Sequence, residues 1–220
     1  MIDFLQQVPL FNKLNAQQLG HIAQICTKKP YRAGTILFRE KESGSTFYIV
    51  FSGSVKLYMS SQGGEDKVLS IFNPGESFGE LSLIDGKPRS ASAQTLEDSV
   101  MIVLGATDFL RLLQTNFEIT LCIMQELAQR LRDTNQHVHD LTFLDARSRV
   151  IKNLIMLANK SGTRNGTSIY VRLALNYDEI SRMAGVQKAV LMQVMRDLVD
   201  RGIITQGMNE FTLHLDRLRG

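Results

Sequence analysis

Residues 78–91, FGELSLIDGKPRSA, place a glutamate and an arginine on either side of an Asp-Gly-Lys-Pro turn. Arg89 offers a planar fork that fits phosphate oxygens, Ser90 adds a hydroxyl donor, and Gly79 has no side chain to keep a ligand from its backbone. An ionised Glu80 only accepts hydrogen bonds, which suits a sugar hydroxyl. These residue types allow an anion site, but they also allow a hairpin salt bridge between Glu80 and Arg89, which is the simpler interpretation.

Short apolar or alternating runs surround this segment between Lys29 and Val103, and glycines separate them. The runs are TILF, TFYIVF, SVKLYM, KVLSIF, SASAQT and SVMIVL. Strands of a few residues at intervals of roughly ten, with turn residues between them, predict an antiparallel sandwich or roll.

Beyond Gly105 the apolar period changes from two residues to three and a half, which predicts a long helix from about Phe117 to Leu144. Its heptad seam consists of Met124, Leu127, Leu131, Thr134, Val138 and Leu141. The same helix of a second copy would cover this seam, which predicts a homodimer, although the stripe could instead pack on its own domain. Thr134, followed by Asn135, is a polar break that either sets the register or faces something polar between two helices.

Two short helices joined by a glycine turn are predicted near the C-terminus. Asn176 and Glu179 form a capping-box pattern that begins the first helix, Gly185 supplies the turn, and the second helix runs from Lys188 to about Val199. This is helix-turn-helix spacing. The following residues, IITQGMNEFTLHL, predict a two-stranded hairpin that would form a wing.

The charge is unevenly distributed along the chain. Residues 1–145 hold 13 Lys/Arg against 16 Asp/Glu, whereas residues 146–220 hold 12 against 6, a net charge of +6. This basic part begins with a predicted amphipathic helix over 146–160 and a predicted polar loop, SGTRNGTS, over 161–168. Its charge suggests a polyanionic partner.

The composition bounds the remaining function classes. With 220 residues and 44% apolar residues, the chain can form substantial cores, and it lacks both a bilayer-length apolar run and signal-peptide features, so we expect a cytoplasmic protein without membrane contact. Cys26 and Cys122 are too few for a four-thiolate cluster and are interpreted as plain buried thiols. No metal-ligand cluster or nucleophile-base pair is evident, so we predict no metal site and no catalytic residue. The histidines are scattered: His21, His137, His139 and His214.

The segment around residues 79–91 resembles the phosphate-binding cassette of cyclic-nucleotide-binding domains, through Gly-Glu-Leu-Ser-Leu and Pro-Arg-Ser-Ala. The order of β-roll, long helix and helix-turn-helix resembles the CRP/FNR family of bacterial transcription regulators, most closely its cyclic-AMP receptor branch. This implies an α+β fold with an N-terminal cyclic-nucleotide-binding β-roll (1–115), a long dimerisation helix (116–145) and a C-terminal winged helix-turn-helix (146–220).

The resemblance also implies a ligand site. It places Arg89 and Ser90 on a cyclic phosphate, Glu80 on the ribose 2′-hydroxyl, and Gly79 and Leu81 in the cassette backbone. Three further positions lie on the long helix: Arg130, where the family has an arginine that braces the cassette glutamate, and Thr134 and Asn135, where the receptor branch has a Thr-Ser pair that meets adenine. Thr134 matches this pair, whereas Asn135 departs from it, although an amide can still donate and accept hydrogen bonds. The allosteric ligand expected is cyclic AMP, or another cyclic nucleotide, with no covalent cofactor.

The recognition helix departs from the family pattern. Where the receptor branch has an Arg-Glu pair and a later Arg, this chain has Lys188, Ala189 and Gln193, so the TGTGA-type half-site cannot be transferred. Lys188 and Gln193 can still contact a base edge, and Gln187 and Arg196 can contact phosphate or stay solvated.

The sequence therefore predicts a homodimeric, ligand-gated regulator that binds a palindromic double-stranded DNA operator, with RNA polymerase as a further partner. The alternative in the same class is a family member that is constitutive or responds to another effector. Two other classes are an enzyme that uses Glu80 and Arg89, and an interaction module whose basic domain contacts protein.

Overall fold

The structure, a computed structural model, describes residues 1–61, 63–64, 66–173 and 175–217. The chain divides into two compact units: the first comprises 1–59 and 69–134, and the second comprises 60–68 and the residues from 135 onward. Both contain helices and strands, as an α+β fold requires.

Two antiparallel four-stranded sheets form the β-part. Its strands are β1 (Thr27–Tyr31), β2 (Ile36–Phe38), β3 (Thr46–Ser52), β4 (Val55–Ser60), β5 (Asp66–Phe72), β6 (Ser77–Phe78), β7 (Ser92–Thr95) and β8 (Ser99–Gly105). The strand orders are β1-β8-β3-β6 and β2-β7-β4-β5. The predicted strands are therefore confirmed, and only their ends shift by one or two residues.

The central strands β3 and β8 are buried on both faces, which explains their continuous apolar sequences. Because successive side chains point to opposite faces, each strand supplies two cores. One core contains Phe47, Ile49, Ile102 and Leu104. The other contains Tyr48, Val50, Met101 and Val103.

Helices cover the first of these cores. They are α1 (Ile2–Gln7), α2 (Ala16–Ile25), α3 (Leu81–Ile84), α4 (Ala106–Thr115) and α5 (Phe117–Phe143). Leu19, Phe109 and Ile119 are among the residues that α2, α4 and α5 bury there. The long helix α5 begins where the sequence predicts and ends one residue earlier. At 27 residues it extends about 40 Å.

The segment 78–91 is not a hairpin. Strands β6 and β7 on either side of it lie in different sheets, and the four-residue helix α3 stands between them. The hairpin interpretation is therefore wrong, because the chain crosses from one sheet to the other here instead of returning beside itself.

The second unit contains the predicted pair of helices. Its elements are α6 (Ala146–Ser161), β9 (Gly162–Asn165), β10 (Ser168–Arg172), α7 (Tyr177–Met183), α8 (Lys188–Asp200), β11 (Ile204–Gly207) and β12 (Glu210–His214). Asn176 and Glu179 form the capping box at the start of α7, and Gly185 adopts φ +62° in the turn before α8. The hairpin after α8 is also present, as β11 and β12.

One prediction in this unit is wrong. The segment 161–168 was expected to be a polar loop, but β9 pairs with β10 around a turn at Gly166, which has φ +59°. Strand β9 is a sheet edge with three of its four residues exposed. An exposed edge strand needs only backbone pairing, so its side chains carry no apolar alternation to reveal it.

Two further findings concern membrane-spanning helices and the environment of the two cysteines. Among the described residues, no helix is both long and apolar enough to cross a bilayer. Cys26 lies in the core, where burial raises the pKa of its thiol to about 11, and Cys122 is half-buried. Cys26 therefore remains a neutral thiol at physiological pH.

Candidate functional site

Gly79 turns the chain sharply between β6 and α3. Its φ of +86° is in the left-handed region that favours glycine. A Cβ there would lie 3.0 Å from Nη1 of Arg89 and 3.2 Å from the carbonyl oxygen of Thr46. The absence of a side chain thus lets a backbone carbonyl and a guanidinium come together.

Arg89 is buried, with 5% of its surface exposed. It donates hydrogen bonds to the carbonyl oxygens of Gly79 (2.6 Å) and Thr46 (2.7 Å) and to Oγ of Ser82 (2.9 Å). Its guanidinium carbon also lies 4.2 Å from the ring centre of Phe38, a cation–π distance. Burial lowers the pKa of Arg89, but an arginine keeps its proton in proteins, so the site holds a buried positive charge.

Glu80 is buried as well, with 3% exposed. Its Oε1 accepts a hydrogen bond from Nη1 of Arg130 at 2.8 Å, and Nη2 of Arg130 donates to the carbonyl oxygen of Ser77 at 2.5 Å. Arg130 of α5 therefore braces the cassette glutamate, as the sequence predicts. Glu80 makes no ion pair with Arg89, so the salt-bridge interpretation of the opening segment is wrong.

Two atoms of this cluster have no hydrogen-bond partner among the described residues: Oε2 of Glu80 and Nε of Arg89. Leaving buried polar atoms of charged groups unpaired costs free energy. One is an acceptor and the other a donor, on the two residues assigned to opposite ends of a ligand. Such a pair suits a ligand that carries both a hydroxyl and an anionic group.

The remaining predicted ligand residues are exposed. Ser90 and Leu81 flank the buried pair, and Thr134 lies one helical turn beyond Arg130 on α5, where its Oγ1 donates to the Arg130 carbonyl at 2.9 Å. Asn135 is the next residue of the same helix and is also exposed. The structure thus brings together Gly79, Glu80, Arg89 and Arg130, and it leaves the other four facing solvent.

Sequence reasoning missed two polar side chains in this cluster. Ser82 accepts from Arg89, and Glu126 accepts from Oγ of Ser77 at 3.2 Å and lies 3.6 Å from Arg130. Burial raises the pKa of Glu126, while Arg130 and Ser77 act in the opposite direction. The spacing of four residues between Glu126 and Arg130 on a helix was the available signal for their pairing.

The predicted seam of α5 is largely uncovered. Leu131 is 62% exposed and Val138 57%, with Met124 and Leu141 also exposed, whereas Leu127 is partly buried against the core. Phe117, seven residues before Met124, extends the stripe and is 71% exposed. A long apolar stripe on an exposed helix is typical of an interaction surface.

Helix α8 presents the predicted DNA-contacting residues Lys188, Gln193 and Arg196 on its exposed side, and the predicted residue Gln187 is its exposed N-cap. The opposite side of α8 is buried and consists of Leu191, Val194, Met195 and Leu198. Lys188 is not free, because its Nζ lies 2.8 Å from Oδ2 of Asp178 on α7.

Comparison with known proteins gives a consistent result. Residues 28–116 match the family model of the cyclic nucleotide-binding domain. The chain is 30% identical over 199 residues to the cyclic AMP receptor protein of Thermus thermophilus, covering 90% of this chain and 89% of that protein. It is 29% identical over 204 residues to a CRP-like cAMP-activated global transcriptional regulator of Mycobacterium tuberculosis, covering 93% and 91%.

Among solved structures, FixK2 from Bradyrhizobium japonicum matches the fold with a TM-score of 0.79, at 19% identity, over 89% of this chain and 96% of that one. The predicted order of β-roll, long helix and C-terminal helix-turn-helix is confirmed.

Proposed function

The chain belongs to the CRP/FNR family of transcriptional regulators, and from this premise we propose that it is a homodimeric DNA-binding regulator gated by cyclic AMP. The observation that carries the proposal is the buried pair of unsatisfied atoms, Oε2 of Glu80 and Nε of Arg89. The cyclic AMP named for the two relatives supports the choice of ligand.

The ligand's phosphate lies against Arg89 and the hydroxyl of Ser90, with the backbone around Gly79 and Leu81 close to it. A cyclic phosphate has one negative charge, which the buried guanidinium compensates. The ribose 2′-hydroxyl donates to the free oxygen of Glu80, while Arg130 holds the other oxygen. Phosphate and sugar thereby satisfy the donor and the acceptor that the protein leaves unpaired.

The adenine lies over the polar break in the seam of α5. Thr134 can donate and accept through its hydroxyl, and Asn135 through its amide, so both can pair with the edge of a base. In a two-fold dimer whose α5 helices pack along the exposed seam, one residue of this pair would come from each copy. The dimer buries the apolar side chains that a single copy leaves in water.

Ligand binding regulates DNA binding if it favours one arrangement of the two α5 helices over another, since only differential affinity shifts such an equilibrium. That arrangement sets the distance between the two α8 helices, which must match consecutive major grooves about 34 Å apart. Gln187, Lys188, Gln193 and Arg196 contact a palindromic operator, and RNA polymerase is the partner through which bound protein would act on transcription.

Calorimetric titration with cyclic AMP tests the ligand site. We expect Ser90→Ala to weaken binding without changing stability, because Ser90 is exposed and its side chain makes no hydrogen bond among the described residues. Arg89→Leu should abolish binding, but it also removes three internal hydrogen bonds, so its unfolding midpoint must be measured beside it. Weaker binding of 2′-deoxy cyclic AMP to the wild type would show that the ribose 2′-hydroxyl makes a contact, and unchanged binding would contradict the contact assigned to Glu80. Equal binding of cyclic AMP by wild type and both variants would refute the site.

A second candidate function is a family member that binds DNA without a cyclic nucleotide or with another effector. The observation that favours it is that protein acceptors already take both N–H groups of Nη1 of Arg89 and one of Nη2, which leaves only Nε–H and one Nη2–H for a ligand. DNA affinity that is unchanged by cyclic AMP and cyclic GMP would establish this second function.

A further inference from the structure

The centre of the exposed face of α8 is formed by three residues at helical spacing. Ala189, Gln193 and Arg196 follow each other at four and three residues, and all are exposed. They lie opposite the buried stripe that contains Leu191 and Leu198. Lys188 lies at the edge of this face, where it is paired with Asp178. If α8 is the recognition helix of the proposed function, the face that contains these three residues is turned toward the DNA.

The N-terminal half of α8 is the part suited to enter the groove. Asp200, at the C-terminal end of the same face, is exposed and would be repelled by phosphates. The N-terminal end of α8 carries the partial positive charge of the helix dipole, which phosphates attract, so this end approaches the DNA. Ala189 and Gln193 therefore reach bases, and Arg196 lies nearer to the backbone.

The chemistry of the two side chains selects different bases. The methyl group of Ala189 can make only apolar contact, and the 5-methyl of thymine is the apolar group of the major groove. The amide of Gln193 makes no hydrogen bond within the described residues, so it is free to pair with N6 and N7 of adenine in a bidentate contact. The two residues are one helical turn apart, about 6 Å along the axis, which corresponds to roughly two base-pair steps.

We propose that Ala189 and Gln193 are the specificity-determining residues of α8, and that each operator half-site contains a thymine read by Ala189 and an adenine read by Gln193 no more than about two base pairs apart. The inference rests on the proposed DNA-binding function.

Selection from random double-stranded DNA, with the full chain and saturating cyclic AMP and again without it, tests the inference. The wild type should enrich a palindrome with the expected T and A in each half. Gln193→Arg should change the preferred base at the adenine position to guanine, which an arginine pairs with through O6 and N7. Replacing that adenine should weaken wild-type binding about tenfold or more, and Gln193→Ala should lose this discrimination.

The thymine contact has its own test, in which deoxyuridine replaces the expected thymine and so removes one methyl group. The wild type should bind this DNA about fourfold more weakly. Ala189→Gly should bind both DNAs equally, and comparing the two DNAs within one variant cancels any effect on folding. Arg196→Gln is the control, since it should weaken binding to all sequences and leave base preferences unchanged.

The outcomes separate the inference from the proposed function. An enriched palindrome whose preferred bases do not change in Gln193→Arg, or that tolerates deoxyuridine, would overturn the inference while DNA recognition stands. Selection that enriches no sequence under either condition would overturn the proposed function and this code with it.

Discussion

Arg89 stabilises the fold before any ligand arrives. Its hydrogen bonds to Thr46, Ser82 and Gly79 connect strand β3, helix α3 and the turn at Gly79 between β6 and α3. In the proposed site, a phosphate either replaces one of these protein acceptors or binds to the unpaired Nε of Arg89. The affinity for the ligand then measures the difference in free energy between Arg89 bonded to the protein alone and Arg89 bonded to the phosphate. The residue types predicted that an arginine and a glutamate serve one site. They did not predict these internal contacts, because two of the three acceptors are backbone carbonyls, which any sequence has.

Glu126 gives a pH-dependent prediction at the same scale. Burial raises its folded-state pKa above the ordinary 4.5, so the folded chain holds this proton more tightly than the unfolded chain. The contribution of Glu126 to the free energy of unfolding is thus fully present below pH 4.5, and it is lost as the pH rises through the raised pKa of the folded state. The amide of Glu126→Gln does not titrate, so this variant keeps its stability as the pH rises. We therefore expect a higher midpoint of unfolding for the variant than for the wild type at pH 7, and equal midpoints at pH 4.

Thermal unfolding followed by circular dichroism at pH 4 to 8 measures this difference. Glu118→Gln is the matched control, because Glu118 is on the same helix but half exposed beside Lys13. A midpoint for Glu126→Gln that stays below that of the wild type across the whole range would contradict the assignment.

Asp178 gives a second residue-scale prediction. Its carboxylate holds the ammonium group of Lys188 and places a negative charge beside the proposed DNA-binding face. Asp178→Asn frees Lys188 for a phosphate, so DNA affinity at low salt should rise several-fold, and the slope of log K against log salt should steepen by about one. Fluorescence anisotropy at several salt concentrations measures both quantities. Glu118→Gln changes the charge equally in the other unit, and an identical effect there would show that only net charge matters.

At the scale of elements, prediction from sequence succeeded where periodicity is strong. The seven-residue repeat of α5 and the capping box of α7 predicted helix ends to within a residue or two. Helix α3, with four residues, is too short to show a period, and the polar edge strand β9 shows no alternation. Both are set by tertiary pairing, which local sequence does not encode.

Gly185 allows a test of how the turn between α7 and α8 is held. It has φ +62°, and a Cβ there would lie 2.7 Å from Cδ2 of Leu141. Gly166 has φ +59° with open space around it. Each substitution to alanine should cost about 1 kcal/mol for the left-handed backbone, and Gly185→Ala should cost up to about 1 kcal/mol more because the flexible end of Leu141 must move aside.

Urea unfolding of the two variants isolates the steric part, since the backbone strain is common to both. Adding Leu141→Ala to Gly185→Ala should recover part of the loss. Equal destabilisation by Gly185→Ala and Gly166→Ala would mean that the contact with Leu141 does not constrain the turn.

At the scale of the whole molecule, the uncovered seam of α5 predicts the oligomeric state. Leu131→Glu would place a charge from each copy in the middle of the interface, where an unpaired buried charge should raise the dimer dissociation constant about 100-fold or more. Sedimentation velocity over a range of protein concentrations measures this change. Leu110→Glu, on α4, introduces the same charge at another exposed leucine and should stay dimeric. A dimer that survives Leu131→Glu would place the interface elsewhere.

The division of the chain into two compact units has an evolutionary consequence. Glu80 and Arg89 belong to one unit, and Ala189 and Gln193 belong to the other. A mutation on α8 that changes the preferred DNA sequence therefore need not disturb the buried cluster around Glu80 and Arg89, where we propose that the ligand binds. Gene duplication followed by a few changes on α8 would yield paralogues that bind the same ligand and control separate sets of genes.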